Sequence, residues 1–153
     1  MLQIKTVEEG FEIKNGQQRL ILTGEKINLG DLDVSEPGEY ESEGVEIVYG
    51  ESAALIVWDK LQLVYIFGHE KPTSFEKTQF SPCDTVIFGR FLQTLGRSFF
   101  NETLEQYDPS QVVVSTKTNT EEIQSSFKSD PVDTFKMSDQ TMPEEGRDFV
   151  RLS

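Results

Sequence analysis

The chain has 153 residues, 36% of them hydrophobic, which is enough for one domain with a sizeable core and too apolar for a disordered protein. Its formal net charge of -13 repels nucleic acid and anionic membranes. No apolar run reaches the roughly 20 residues that span a bilayer, and the first residues lack the apolar core of a signal peptide. We therefore expect one cytoplasmic domain, residues 1–153, with no nucleic-acid or membrane partner.

The N-terminal residues predict a β-hairpin followed by a return strand. Apolar and polar side chains alternate at residues 2–6 and 11–13, and Asn15-Gly16 supplies a tight turn. The apolar residues 20–22 predict the return strand. Glycine and acidic residues dominate residues 24–38, which we expect to form a connection rather than regular structure.

Two apolar runs in the middle of the chain predict the central hairpin of a sheet. Residues 52–58 contain AALIVW, residues 61–67 read LQLVYIF, and only Asp59-Lys60 separates them. Runs that are apolar throughout are typical of strands covered on both faces, so we expect these two to be adjacent, antiparallel and central. Alternation at residues 45–49 predicts the strand that precedes them.

The second half predicts short buried strands separated by helices or loops. Residues 69–82 are polar and predict a loop or a broken helix. Residues 84–88 and 112–114 predict strands, and Ser98 is expected to cap the helix between them, which ends near Tyr107.

The C-terminal part predicts one more helix and two strands. Thr118 and Glu121 have the spacing of a capping box, which predicts a helix after them. Apolar residues at 135–137 and 149–152 predict a closing pair of strands. Antiparallel strands followed by alternating strands and helices are typical of a layered α/β or α+β fold.

Several segments resemble a subgroup of metallo-β-lactamase-fold hydrolases. SEPGEYESEGVEI, residues 35–47, resembles that subgroup's Pro-Gly-Glu-Tyr-Glu segment, and PEEGRDFVRL, residues 143–152, its C-terminal strand. The strand that ends in Gly68-His69 is similar to its His-Leu-Gly-Asp strand, and the match covers roughly residues 11–152. The resemblance implies an α/β (α+β-like) fold: a reduced αββα sandwich of two mixed β-sheets with few helices.

The chain departs from that family where the family binds its metals. The family's His-x-His-x-Asp-His loop would fall between Leu22 and Ser35, which hold no histidine between them. Its bridging Asp falls at His69, and its last metal-binding His falls near Ser115 or Thr116. A di-zinc centre needs several converging donors. The comparison implies a single metallo-β-lactamase-like domain without the His loop, without catalytic residues, metal or cofactor, so we do not expect a zinc hydrolase.

His69, the only histidine, is the one remaining candidate for a metal ligand or a general base. Because no partner is identifiable, we favour a loop histidine left at a decayed site. Cys83 has no His or Arg beside it in sequence to lower its pKa, so we expect a small structural residue rather than a nucleophile.

The acidic residues of the segment 27–59 have two interpretations. They form either a solvated face or a docking surface for a basic partner. Asp31, Asp33 and Glu36 lack the ligand count of a calcium loop. The three alternating carboxylates after Pro37-Gly38 predict the wet side of an edge strand, where acidic residues discourage aggregation. The possible interaction surface comprises Asp31, Asp33, Glu39, Glu41 and Glu43.

These observations favour a non-catalytic protein-interaction or assembly module that binds itself or a paralogue. The alternatives are a residual hydrolase with a reduced metal site around His69 and a small-ligand sensor that uses the old cleft. Loss of the N-terminal loop and helix would uncover one sheet face, where residues 20–22, Ile27 and Leu29 are still apolar. We therefore expect a symmetric homodimer whose centre lies away from the acidic segment 27–59.

Overall fold

The described chain is rich in strands and has few helices. The structure, a computed structural model, describes residues 1–92 and 94–153. Its strands are β1 (Leu2–Val7), β2 (Gly10–Asn15), β3 (Gln18–Thr23), β4 (Lys26–Leu29), β5 (Leu32–Val34), β6 (Gly38–Ser42), β7 (Val45–Tyr49), β8 (Ala53–Trp58), β9 (Leu61–Ile66), β10 (Thr85–Phe88), β11 (Gln111–Ser115), β12 (Thr134–Met137) and β13 (Asp148–Leu152). The helices are α1 (Ser74–Gln79) and α2 (Arg97–Tyr107), with 3₁₀ helices at Arg90–Leu92 and Glu121–Ser126. None of these helices is long and apolar enough to cross a membrane.

The strands form two sheets. The six-stranded sheet has the order β12-β1-β2-β3-β4-β5, and each neighbouring pair is antiparallel. The seven-stranded sheet has the order β13-β11-β10-β9-β8-β7-β6. It is mixed, because β9, β10, β11 and β13 run parallel while the pairs from β9 to β6 are antiparallel.

Two hydrophobic clusters divide the molecule into three layers. The first lies between the sheets and takes inward side chains from both, such as Leu22 and Ile47. The second joins the other face of the seven-stranded sheet to the helices, and includes Val112, Phe100 and Ile123. The order of layers is therefore sheet, sheet, helices, which confirms the predicted two-sheet sandwich with few helices.

The central hairpin is as predicted. β8 and β9 are adjacent, antiparallel and in the interior of the seven-stranded sheet. Asp59 and Lys60 form its turn with φ of 52° and 66°. Positive φ at both central residues gives a turn whose twist matches the strands, and here it is adopted without glycine.

The prediction that residues 24–38 form a connection is wrong. They contain β4 and β5, which extend the six-stranded sheet. Gly24 and Gly30 have φ of 55° and 59° and occupy tight turns between strands. The glycines therefore mark turns rather than a loop, and strands of three or four residues are too short for alternation to stand out from the acidic residues around them.

Two predicted helix starts are also wrong. The N-cap of α2 is Gly96, not Ser98, and Thr118 does not form a capping box with Glu121. Instead, Thr118 is buried, and the side chain of Asn119 accepts a hydrogen bond from the Glu121 N–H at 3.1 Å. The segment that follows is a 3₁₀ helix rather than an α-helix.

The two C-terminal strands do not pair with each other, contrary to the prediction. β12 lies antiparallel beside β1 at one edge of the six-stranded sheet, whereas β13 lies parallel beside β11 at an edge of the other. The link between them crosses from one sheet to the other, and its Met142 packs against the core between the sheets. Apolar periodicity identifies a strand but not the sheet that it joins.

Most of the expected apolar surface is absent from the described outer face of the six-stranded sheet, the side away from the seven-stranded sheet. Leu20, Leu22, Ile27 and Leu29 point inward and are at most 2% exposed. Ile21, the remaining residue of that set, points outward between Glu12 and Asn28 and is half-buried. Cross-strand register places mostly polar side chains outward, such as Lys14 opposite Arg19. Burial of four of these five apolar residues removes most of the reason for expecting a symmetric dimer, and the dimer itself stays a prediction.

Candidate functional site

The carboxyl ends of three neighbouring parallel strands lie at one edge of the seven-stranded sheet. His69 follows β9, Arg90 follows β10, and β11 ends at Ser115 before Thr116. In layered α/β folds, ligands bind in the crevice outside such strand ends. We call this region the carboxyl edge.

His69 lies exposed at the carboxyl edge and contacts no carboxylate in the described hydrogen-bond network. Its Nε2 is 3.4 Å from the Thr94 carbonyl oxygen, and its ring lies 5.0 Å from that of Phe99. Within residues 1–92 and 94–153 no group of three or more His, Cys, Asp and Glu side chains is placed to hold a metal ion.

Ser115 and Thr116 lie at the same edge, separated from His69 by β10. Ser115 is fully buried, and its Oγ accepts a hydrogen bond from the Lys117 N–H at 3.1 Å. The N–H of Thr116, which is exposed, continues the pairing with β13 by donating to the Leu152 carbonyl at 2.9 Å. Both residues therefore help to end β11.

Arg90 is the residue at the carboxyl edge that the sequence did not single out. Its Nη1 donates to the Val7 carbonyl at 2.8 Å and also to the Glu8 carbonyl. Val7 is the last residue of β1 and Glu8 begins the turn to β2, so the guanidinium joins the two sheets. In the sequence, the only sign of this position was Gly89-Arg90 directly after a buried strand. The structure explains the glycine, because a Cβ on Gly89 would lie 2.7 Å from the Ile66 carbonyl oxygen.

Two tyrosines join the sheets at the same end of the sandwich. The Tyr65 hydroxyl donates to the Gly24 carbonyl at 2.7 Å, and the Tyr49 hydroxyl donates to that of Glu25. Burial raises the pKa of Tyr65 well above its usual range, and raises the pKa of Tyr49 to about 12. Both hydroxyls therefore stay protonated and act as donors at neutral pH.

The residues at the carboxyl edge do not fit the pair of zinc ions that a metallo-β-lactamase-type hydrolase would use. Zinc sites use several Cys, His or carboxylate ligands. Among the described residues, this edge offers one imidazole, the carboxylate of the adjacent Glu70, two neutral hydroxyls, and a guanidinium whose positive charge repels a cation. No catalytic step through a metal follows from this set.

The structure brings some of the acidic candidates together and separates others. Asp31, Glu41 and Glu43 line one cavity of about 400 Å³ where β5 and β6 approach. Glu39 lines a different cavity, which also includes the exposed Phe75. Asp33 is on the outer face of the six-stranded sheet, 3.5 Å from the Lys26 ammonium. The hydrogen bond from Asn28, aided by Lys26, lowers the pKa of Asp33.

Cys83 is buried at the amino end of the parallel strands. Its Sγ lies 3.7 Å from the Thr85 carbonyl oxygen. Burial, with Asp84 and Asp108 nearby, raises the pKa of the thiol far above its usual range. A protonated, buried thiol is a poor nucleophile, which agrees with the structural role expected from the sequence.

Glu76 is a second important residue that sequence reasoning missed. It is fully buried, and its carboxylate accepts hydrogen bonds from the backbone N–H groups of Ser52, Ala53 and Thr73 at 3.2, 3.2 and 2.9 Å. The Ser52 hydroxyl donates as well. Thr73 and Glu76 form a capping box for α1, and their spacing is visible in the sequence. The carbonyl of Ser52 in turn accepts from Gly68, just before His69.

A comparison with known proteins identifies the architecture. No protein-family model and no curated protein matches the chain. Among solved structures, it is similar to a proposed zinc-dependent hydrolase of the metallo-β-lactamase superfamily from Thermotoga maritima, with a TM-score of 0.74 and 12% sequence identity over 100% of both chains. The likeness shows the fold. At this identity it carries no information about metal binding or activity in the present chain.

Proposed function

We propose that this protein is a non-hydrolytic, metal-free protein with a metallo-β-lactamase-like fold that acts by binding protein. The observation that carries the metal-free, non-hydrolytic part of this proposal is the position of Arg90. Arg90 follows β10 at the carboxyl edge, and its guanidinium donates hydrogen bonds to the carbonyls of Val7 and Glu8 at the end of β1 in the other sheet. A cationic side chain that joins the sheets at this edge serves stability and opposes metal binding.

The contacts of the other residues at the edge support the same conclusion. A water-activating metal site needs an ordered set of ligands and a position open to substrate. Ser115 is buried and bonded to the turn that follows it, and His69 contacts a backbone carbonyl. A reduced metal site built on His69 would have Glu70 beside it and would still have to recruit further ligands, because no group of three or more His, Cys, Asp and Glu side chains in the described residues is placed to hold a metal ion.

The ligand-sensor alternative has one cavity in its favour, but that cavity is at a different place from the one expected. A cavity of about 570 Å³ runs along β13, lined by Phe149, Arg151 and Phe135 among others. It lies at the sheet edge beyond β11, between the C-terminal strands, rather than at the carboxyl edge. We therefore keep the proposal that the chain functions by binding another protein chain.

Elemental analysis of tag-free protein, after incubation with excess zinc and desalting, tests the metal-free part. We expect far less than one zinc per chain and no hydrolysis of generic phosphodiester, ester or lactam substrates. His69→Ala is the matched variant and should leave both results unchanged. One or more zinc ions per chain in the wild type, lost in His69→Ala, would overturn the proposal in favour of a reduced metal site.

A further inference from the structure

The outer face of the six-stranded sheet is basic although the chain is strongly acidic. Among the described residues it holds five of the chain's 14 basic side chains and only two acidic ones, Glu12 and Asp33. All five are exposed. We call this group the basic face: Lys5, Lys14, Arg19, Lys26 and Lys136.

Part of the basic face is a row of side chains that crosses four strands. Lys136 is opposite Gln3, which is opposite Lys14, which is opposite Arg19. With strands about 4.8 Å apart, the row spans about 14 Å. Like charges directly opposite each other, as in Lys14 and Arg19, destabilise a sheet.

The two acidic residues of this face leave part of its charge unbalanced. Glu12 is only 3% exposed; one of its carboxylate oxygens is 2.5 Å from Arg19 Nε, and the other is 3.7 Å from Lys5 Nζ. Asp33 pairs with Lys26. In the described part of the chain, Lys14 and Lys136 have no carboxylate within 4 Å.

The opposite side of the sandwich has an acidic counterpart on β6 and β7. Tyr40 and Ile47 pack into the core between the sheets, so their neighbours along the strands point away from it. Those neighbours form what we call the acidic patch, and all are exposed: Glu39, Glu41 and Glu46. Glu41 lies directly opposite Glu46, a second like-charge pair across two strands. No Lys or Arg of the described residues lies within 4 Å of the patch.

We propose that the basic face binds the acidic patch of a second copy of this chain, head to tail; this rests on the proposed function and names its partner. The cation pair Lys14 and Arg19 and the carboxylate pair Glu41 and Glu46 each bridge two adjacent strands, so the two pairs have the same spacing. The two groups are on opposite sides of one molecule, which leaves both available in every copy. Each like-charge pair, unfavourable within its own sheet, gains opposite charges in the contact.

The geometry also decides between this arrangement and others. A symmetric two-fold dimer built on either of these two surfaces would bring like charges together and would repel, whereas a head-to-tail contact pairs opposite charges, is heterologous and repeats. Nucleic acid is disfavoured because the described outer face of the six-stranded sheet carries no aromatic side chain for base stacking.

Sedimentation velocity at two salt concentrations tests the association itself. At an ionic strength of about 0.01 M, where the Debye length is about 30 Å, the mass should rise above 17.4 kDa with protein concentration. At about 1 M, where that length is about 3 Å, it should return to 17.4 kDa. A wild-type protein that stays monomeric at low salt overturns the proposal.

Complementation of two neutralised variants tests the assigned surfaces. We expect each double variant to be monomeric on its own: Lys14→Gln/Arg19→Gln and Glu41→Gln/Glu46→Gln. The second is the stricter test, because its lower net negative charge weakens the general repulsion between copies and would by itself favour association. Mixed, they retain one intact basic face and one intact acidic patch, so they should form a dimer of about 35 kDa, twice the monomer mass, and nothing larger.

The matched control is Lys77→Gln/Lys117→Gln, which removes the same charge from exposed residues outside the basic face. It should associate like the wild type. Association retained by Lys14→Gln/Arg19→Gln, or lost equally in the control, overturns the assignment. A monomeric, zinc-free protein would refute this partner alone, while zinc-dependent hydrolysis would refute the proposed function whatever the oligomeric state.

Discussion

Replacement of Glu76 is expected to destabilise the protein far more than its short helix suggests. Glu76→Ala removes the acceptor for the backbone N–H groups of Ser52, Ala53 and Thr73, of which the first two lie in residues at most 3% exposed. A buried donor left without a partner costs about 1–3 kcal/mol. Two such donors, with partial compensation by water at Thr73, give a loss of about 3–5 kcal/mol in the free energy of unfolding.

Glu76→Gln separates the hydrogen bonds from the side-chain volume. One carboxylate oxygen accepts from the Ser52 and Ala53 N–H groups, and the other from Thr73 N–H and the Ser52 hydroxyl. The amide keeps one oxygen and can donate to the Ser52 hydroxyl, so only the bond from Thr73 is lost. We expect Glu76→Gln to lower the free energy of unfolding by about 1–2 kcal/mol, which places its stability between that of the wild type and that of Glu76→Ala.

Urea unfolding measures these losses, with the fluorescence of the buried Trp58 and far-UV circular dichroism as independent probes. Glu105→Ala, at an exposed position of α2, is the matched control and should change stability by less than about 0.5 kcal/mol. If Glu76→Ala unfolds at the same urea concentration as this control, the hydrogen-bond reasoning is refuted.

Three further changes test other contacts at the same end of the sandwich. Arg90→Ala should cost about 1.5–3 kcal/mol, because it removes charge-assisted bonds to the β1–β2 turn, and amide exchange in that turn should accelerate. Gly89→Ala should cost about 1–3 kcal/mol, because its methyl group meets the Ile66 carbonyl oxygen at 2.7 Å; equal stability of wild type and variant would exclude that clash. The raised pKa values of Tyr49 (about 12) and Tyr65 imply stability that is complete below the ordinary pKa of about 10 and falls as pH rises above it. Absorbance at 295 nm should therefore show these tyrosines ionising together with alkaline unfolding; ionisation completed before unfolding would contradict it.

Local patterns were sufficient for much of the fold. The central hairpin of β8 and β9 could be predicted because an apolar run on each side of Asp59-Lys60 has only one good way to be buried. β4 and β5 could not, because their three or four residues give too little periodicity, and their turn glycines resemble those of a loop. The sequence also could not predict which sheet β12 and β13 would join. The partner of β12, for example, is β1, which lies more than 100 residues earlier in the chain.

The sequence by itself determined the supply of chemical groups: one histidine, a net charge of -13 and apolar strands enough for a sandwich. Only the tertiary structure decided where those groups meet. Arg90 bonds to carbonyls 82 and 83 residues earlier in the chain, and Lys136 joins Lys14 in one row through β1. Composition is a sum over residues, whereas a site or a charged face depends on which distant strands become neighbours, and the burial of the whole core selects that arrangement.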